Sequence, residues 1–256
     1  MNIATDYDEL LDEAIEIAEK AAEIAYSYFR QALLIEMKDN QTPVTIADRK
    51  TEEMIRGEIS KRFPEHGIVG EEFGEEKAHA DWIWTVDPID GTRSFVRGIP
   101  LFGTLLGLVE KGEPVVGVLV LPALDEIYYG AKGVGCFCND YQVHVSNTMN
   151  IESAFISVGD YPCFEMSGYK NHFSHLAKKA ELVRGYTDCF GHSLVLRGSV
   201  DAMIDPMVSP WDVAPLACLV REAGGDYFTF EGDRSHLGKS FISCTPALRE
   251  ELLKLA

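Results

Sequence analysis

Two carboxylates flank an abrupt corner in Trp82-Ile83-Trp84-Thr85-Val86-Asp87-Pro88-Ile89-Asp90-Gly91-Thr92. Trp82, Ile83, Trp84 and Val86 are β-formers, so the stretch reads as a mostly buried strand. Pro88 has no N–H for a sheet ladder and biases Asp87 toward an extended backbone, which stops the strand at Asp87-Pro88. Gly91-Thr92 follows, and Arg93-Ser94-Phe95 reads as the start of a short helical turn. Carboxylate oxygens from Asp87 and Asp90 suit a hard cation. N–H groups and the dipole at a helix start suit an anion such as phosphate.

Other elements must hold this corner in place. Residues 6–35 read as one long helix: Leu11, Ala14, Ile15, Ala18, Ala21, Ala22, Ala25, Tyr28, Phe29 and Ala32 recur at spacings of three and four. Asp6 and Asp8 suit its N-terminal end. Residues 37–43 are polar and read as a mobile connection. Val44-Thr45-Ile46-Ala47-Asp48 leads into a second helix that runs to about Phe63 and is stopped by Pro64. Asp48 falls in its first turn, where an acid complements the dipole. Gly67-Ile68-Val69-Gly70 reads as a short strand that delivers Glu71, and Glu72, Glu75 and Glu76 read as a solvated charge run.

Downstream, 103–109 and 115–120 read as a hairpin with apolar arms, and 126–135 continue an antiparallel pattern. Polar residues at 146–150 suggest a soft boundary between 1–146 and 147–256. Beyond it, strands at 154–158, 182–187 and 202–205 alternate with helices at 164–179, 188–197 and from Trp211-Asp212 to Ala223-Gly224-Gly225, with glycine as the stop. His172 and His175 lie three apart, but no acid or third ligand adjoins them, so they read as solvated helix histidines.

Composition narrows the partners. Acids outnumber bases 41 to 23, giving a formal charge of −18 over 256 residues. That balance argues against nucleic acid and against an anionic membrane surface. It also repels a phosphate ester, so bound divalent cations would have to reverse the field locally. Cys136 and Cys138 are the one close pair among six cysteines and lack a second pair at zinc spacing, so free thiols in a reducing compartment are expected. No basic segment followed by an apolar run opens the chain, and no apolar stretch approaches a membrane span. A cytoplasmic protein is expected.

Asp87-Pro88-Ile89-Asp90-Gly91-Thr92 followed by Phe95 resembles the signature of the inositol monophosphatase family of metal-dependent phosphomonoesterases. Val44-Thr45 with Asp48, Gly70-Glu71-Glu72, and Trp211-Asp212 with Ala223-Gly224-Gly225 resemble its other motifs and occur in its order. The resemblance covers essentially the whole chain. It departs at Pro215, where the family usually has a small residue; proline in a first helical turn loses no needed hydrogen bond.

The resemblance implies an α/β fold, a layered α-β-α-β-α sandwich with largely antiparallel sheets, and a homodimer. It implies a pocket for two or three Mg2+ ions, with Mn2+ as a substitute. The ligands would be Glu71, Asp87, Asp90 and Asp212, with the backbone carbonyl of Ile89. Four acids converging without a lysine or arginine repel one another in a low-dielectric pocket, and divalent cations resolve that conflict. All-oxygen ligation favours magnesium or manganese over zinc. The implied catalytic residues are Glu71 and Thr92, the latter held by Asp48, which orient the attacking water and take its proton. N–H groups of Gly91 and Thr92 would hold phosphate oxygens. No covalent phosphoenzyme is needed.

Two stretches lean toward the histidinol-phosphatase subgroup: Arg93-Ser94-Phe95 through Leu106, and Arg184-Gly185-Tyr186-Thr187-Asp188-Cys189-Phe190-Gly191. Histidinol carries an ammonium and a titratable imidazole. Asp188, aided by Asp205 and beside Thr187, would pair with that cation. Asp188 could equally cap the helix that follows, and one aspartate can serve both roles. The expected activity is hydrolysis of L-histidinol phosphate, a step of histidine biosynthesis. Hydrolysis of inositol 1-phosphate is the alternative. A regulatory or binding protein on the same scaffold is a further one, which the intact acid set argues against.

Overall fold

The computed structural model describes residues 7–38 and 43–255. Its helices are α1 (Tyr7–Tyr28), α2 (Ile46–Arg62), α3 (Thr92–Phe95), α4 (Tyr161–Met166), α5 (Lys170–Lys179), α6 (Asp188–Leu196), α7 (Pro210–Glu222) and α8 (Arg249–Leu255). They lie outside and between two stacked sheets, in α-β-α-β-α order. The first sheet has eight strands in the order Tyr141–Gln142, Gly135–Cys138, Glu126–Ala131, Glu113–Leu121, Gly103–Glu110, Trp82–Asp90, Gly67–Gly70, Gly74–Glu76. Every pairing in it is antiparallel except Gly67–Gly70 beside Trp82–Asp90. The second has five, in the order Leu182–Arg184, Phe155–Val158, Ala202–Asp205, Phe241–Cys244, Asp226–Phe228, and is half parallel and half antiparallel.

Sequence patterning explains the layers. α1 buries Leu11, Ala14, Ile17, Ala18, Ala21 and Ala22 against Ile55 and Ile59 of α2 and against Trp84, Val116 and Val118 of the large sheet. Its alanines permit the close approach. α7 is apolar around most of its circumference because it lies between the sheets, meeting Leu105, Leu119 and Tyr128 of the first and Tyr227 and Phe241 of the second. A Cβ on Gly117 would fall 2.2 Å from the Pro215 carbonyl oxygen, so this packing needs a glycine in the strand. α4, α5 and α8 cover the far face of the small sheet through Phe164, Leu176 and Leu252.

Several boundaries differ from the sequence reading. The first helix ends at Tyr28, not 35: Arg30 has φ +61°, its guanidinium donates to the Gly98 carbonyl at 3.2 Å, and Phe29 turns onto Phe95 and Phe102 with ring centroids 5.8 and 4.9 Å away. The strand from Trp82 does not stop at Asp87-Pro88 but continues to Asp90 through a register shift, and the proline sits inside that irregularity. The expected helix at 164–179 is two helices, broken near Gly168 at φ +87°. Gly74–Glu76 is an exposed edge strand rather than a run of solvated charge alone. The strand after residue 182 ends at Arg184. Pro215 lies in the second turn of α7, five residues after Pro210, so it does cost a bond, the one to the carbonyl of Trp211. Asp6 and most of the polar connection, residues 39–42, lie outside the described residues.

Candidate active site

The register shift at the end of Trp82–Asp90 directs both of its acids to one place. Asp87 Oδ1 accepts the N–H of Ile89 at 3.0 Å, and Asp90 Oδ2 accepts the N–H of Cys189 at the start of α6. Asp212 arrives from the start of α7, where Ser209 and Asp212 form a capping box and Asp212 Oδ2 accepts the Ser209 N–H at 2.8 Å. One ligand oxygen from each of Asp87, Asp90 and Asp212 lies within 4.8 Å of the others.

Burial is the leading cause that pushes all three carboxyls above the ordinary range, and neighbouring carboxylates, Glu71 among them, add to it. The Cys189 bond opposes the rise at Asp90. Asp90 and then Asp212 add their charge to the rise at Asp87, after burial and Glu71.

Glu71 follows the strand Gly67–Gly70, and its N–H bonds the Val86 carbonyl at 3.2 Å, which sets it beside Asp87. Its carboxylate is not surrounded by acids alone. Lys38 Nζ lies 2.7 Å from Glu71 Oε1 and also pairs with Glu72. The sequence places no base near the acids, and the one signal for Lys38 is a cation in the polar segment before α2. Burial raises Glu72 to about 7 and outweighs the Lys38 bond, which opposes the rise.

Asp48 is buried in the first turn of α2, in a capping box with Thr45: its Oδ2 accepts the Thr45 N–H at 2.8 Å and hydroxyl at 2.7 Å. Its Oδ1 is buried without a hydrogen-bond partner. Burial raises its pKa. The Thr92 hydroxyl donates to the Ile89 carbonyl at 2.9 Å, so the Thr92–Asp48 link expected from sequence is replaced by Thr92–Ile89 and Asp48–Thr45. Gly91, with φ +82°, starts the single turn of α3.

On the other side stand Thr187, Asp188 and Asp205. Asp188 does not cap α6 with its side chain. Thr187 holds the cap position, and Asp188 Oδ2 accepts the Thr187 hydroxyl at 2.9 Å. Asp188 has φ +58°, in the left-handed region, where Asp and Asn are the usual non-glycine residues. A Cβ on Gly91 would lie 3.3 Å from Asp188 Oδ2, so this carboxylate adjoins the Gly91 turn. Burial, then Asp90, raise it to about 7, while Arg93 opposes. Asp205 is raised by burial and then by Asp188 and Asp90. Beside them is a cavity of about 250 Å³ at the carboxyl ends of Phe155–Val158 and Leu182–Arg184, lined among others by Asp160, Tyr161, Phe173, Arg184 and Thr187. The sequence reading missed Arg93, Asp160 and the Cys189 N–H as members of this neighbourhood.

The donors fit a hard divalent cation. They are carboxylate oxygens, close enough to share an ion, raised by burial and then by a mutual repulsion that such an ion would relieve, and Asp48, which feels Glu71, has a buried oxygen without a partner. The sequence profile of the inositol monophosphatase family matches residues 6–256. The histidinol-phosphatase of Chlorobaculum parvum is 40% identical over 243 residues, 94% of this chain and 93% of that protein. The histidinol-phosphatase of Mycobacterium tuberculosis is 36% identical, over 94% of this chain and 95% of that protein. The solved structure of a Thermotoga maritima IMPase superposes with a TM-score of 0.88 at 32% identity, covering 96% of each chain. The chain belongs to the inositol monophosphatase family and is a metal-dependent phosphatase acting on small phosphate esters. No helix among the described residues is long and apolar enough to cross a membrane.

Proposed function

We propose that this enzyme hydrolyses L-histidinol phosphate to L-histidinol and phosphate. The observation that carries the reading is Asp188: a carboxylate in a left-handed backbone position, beside the Gly91 turn, whose charge raises Asp205. An acid kept uncomfortable by burial and by Asp90 gains most from a cationic partner, and histidinol supplies an ammonium. The adjacent cavity, with Tyr161 and Phe173 packed edge to face and Asp160 on its wall, suits an imidazole. The names of the Chlorobaculum and Mycobacterium relatives point the same way.

Glu71, Asp87, the Ile89 carbonyl, Asp90 and Asp212 would hold magnesium, which activates water and stabilises the leaving oxygen when bound. The chain's own residues do the rest. Glu71 takes the proton of the attacking water. The Thr92 hydroxyl, donating to Ile89, keeps its lone pairs available to accept an O–H from that water. N–H groups at Gly91 and Thr92 hold phosphate oxygens. Asp48 adds a carboxylate oxygen at the start of α2. We extend the reading to a homodimer, to a metal- and phosphate-binding part at 1–146 with a substrate-side part at 147–256, and to the cytoplasm, where six unpaired cysteines are at home.

The test is phosphate release from L-histidinol phosphate, inositol 1-phosphate, fructose 1,6-bisphosphate and glycerol 2-phosphate, with EDTA and with added Mg2+. The expected result is no release in EDTA and, with Mg2+, a kcat/KM for histidinol phosphate at least about 30-fold above the neutral-alcohol esters, the lower end for a desolvated charge pair. A preference for inositol 1-phosphate, the reading that similarity to the Thermotoga IMPase supports, would overturn the substrate. Full activity in EDTA would overturn the metal chemistry.

A further inference from the structure

We propose that Glu52 is the residue that positions Glu71 for the metal. Glu52 lies one turn after Asp48 on α2 and is fully buried. It faces the tight connection between Gly67–Gly70 and Gly74–Glu76. Gly70 pairs with Gly74 across that hairpin, so Glu71, Glu72 and Phe73 are its turn. Glu52 Oε2 accepts the Glu72 N–H at 2.7 Å, and Oε1 accepts the Phe73 N–H at 3.2 Å. Oε1 also takes Nε of Arg56 at 2.7 Å, and Arg56 donates in turn to the Gly74 carbonyl.

The Glu72 and Phe73 bonds fix backbone rather than side chains. The peptide before Glu71 is tied by the Glu71 N–H to Val86, in the strand that carries Asp87. The peptide after it ends in the Glu72 N–H that Glu52 holds. Glu71 is therefore gripped on both sides, and α2 supplies the second grip from the face that also carries Asp48. Gly70 is shaped for this approach: a Cβ there would fall 2.2 Å from Glu52 Oε1. A buried carboxylate is a costly way to close a three-residue turn, since well-packed apolar residues serve as well or better where only stability is required. It is warranted where a ligand carboxylate next to the turn must be held to a fraction of an ångström.

The inference rests on the metal reading of Glu71, and the experiment separates the two. Mn2+ binding to metal-free protein is measured by electron paramagnetic resonance and calorimetry, alongside melting temperature, for wild type, Glu52→Gln and Ile59→Val. Glutamine keeps the size of Glu52 but turns one oxygen into an NH2 that confronts a donor, so either the Glu72 bond or the Phe73 and Arg56 bonds are lost. Glu52→Gln should weaken one Mn2+ site about 10- to 100-fold, with any site held by Asp87, Asp90 and Asp212 alone unchanged. Ile59→Val, a buried change on the same helix, should lower the melting temperature and leave Mn2+ affinity alone. If Glu52→Gln does not fold, Arg56→Gln carries the test: it releases Oε1 and the Gly74 carbonyl while sparing the Glu72 bond, and should weaken the same site several-fold. Wild-type Mn2+ affinity in the folded variant overturns the positioning role. A wild-type protein that binds no Mn2+ overturns the metal reading and the inference together.

Discussion

Replacing Asp188 by asparagine isolates one charge with little collateral change. The residue sits at φ +58°, which asparagine also tolerates. Its oxygen accepts the Thr187 hydroxyl, a bond an amide oxygen can keep, and it caps no backbone N–H of α6. The magnitude follows from its electrostatics. A rise from 3.8 to about 7 means that ionising Asp188 without a partner is disfavoured by about 4 kcal/mol. Burial and then Asp90 cause that rise, and a divalent cation at Asp90 cancels the second part. What remains for a substrate ammonium to recover is about 2–4 kcal/mol, the scale of a truncated buried charge pair. At about 1.4 kcal/mol per decade, Asp188→Asn should lower kcat/KM for L-histidinol phosphate about 30- to 1000-fold.

The assay is steady-state kinetics at saturating Mg2+ and pH 8 on L-histidinol phosphate and on glycerol 2-phosphate, which carries no cation and should change less than about threefold. The metal-free variant should melt at or above the wild-type temperature at that pH, because an uncompensated charge has gone. Equal losses on both substrates would refute the reasoning. They would assign Asp188 to the turn rather than to the substrate and remove the main support for histidinol phosphate.

Asp90→Asn should abolish most activity yet leave the metal-free melting temperature level or higher, since the amide oxygen still accepts the Cys189 N–H while repulsion falls; a mutant fully active at saturating Mg2+ would remove Asp90 from the ligand set. Thr92→Ala should lower kcat about 100-fold, the size of loss for one preorganised hydrogen bond, with KM little changed; a rise in KM at constant kcat would make Thr92 a phosphate holder. Stability should also depend on pH in a metal-sensitive way. Asp87, Asp90, Asp205 and Asp212 have folded pKa values above their unfolded ones, so their contribution is present below about pH 4 and is lost as pH rises through the folded values, which for Asp188 means about 7. His192, buried and held down at about 3, pulls the other way below pH 6.5, but in both metal-free and Mg2+-loaded protein, so it cancels in the comparison. The melting temperature of the metal-free protein should fall between pH 5 and 8 relative to the Mg2+-loaded one; parallel curves would count against the acid cluster as the metal site.

Much of the fold was legible because local and global rules agree in it. The alanine stripe of α1, the hairpin at 103–121 and the glycine stop after α7 each follow from a short-range pattern. The misses have tertiary causes. α1 stops early because Phe29 is claimed by the Phe95–Phe102 cluster, a contact some 70 residues away in sequence that periodicity does not register. The strand ending in Asp90 outlasts Pro88 because an irregularity absorbs the missing N–H. In sequence Lys38 is only one residue of a polar connection, whereas folding brings it to Glu71.

The acids themselves were legible for a further reason. Asp48 and Asp212 each stand three residues after a Thr or Ser that opens a helix, and each gives one oxygen to the N–H of that cap. Asp87 gives one to Ile89 within its own turn, and Asp90 gives one to Cys189. All four side chains thus have one oxygen anchored to backbone and a second for the pocket. Three of the anchors are local, so the spacing that orients the carboxylate is written in the sequence beside it. The anchor of Asp90 comes from α6, 99 residues on, and no spacing predicts it. That long-range bond fixes α6 against the Asp90–Gly91 turn, and Asp188 is the residue immediately before Cys189. The ligand that would feel the metal and the acid that would feel the substrate are therefore joined through a single N–H. A change at Asp90 should be felt at Asp188, whereas changes at Asp48 or Asp212, anchored within their own helices, should stay on the metal side.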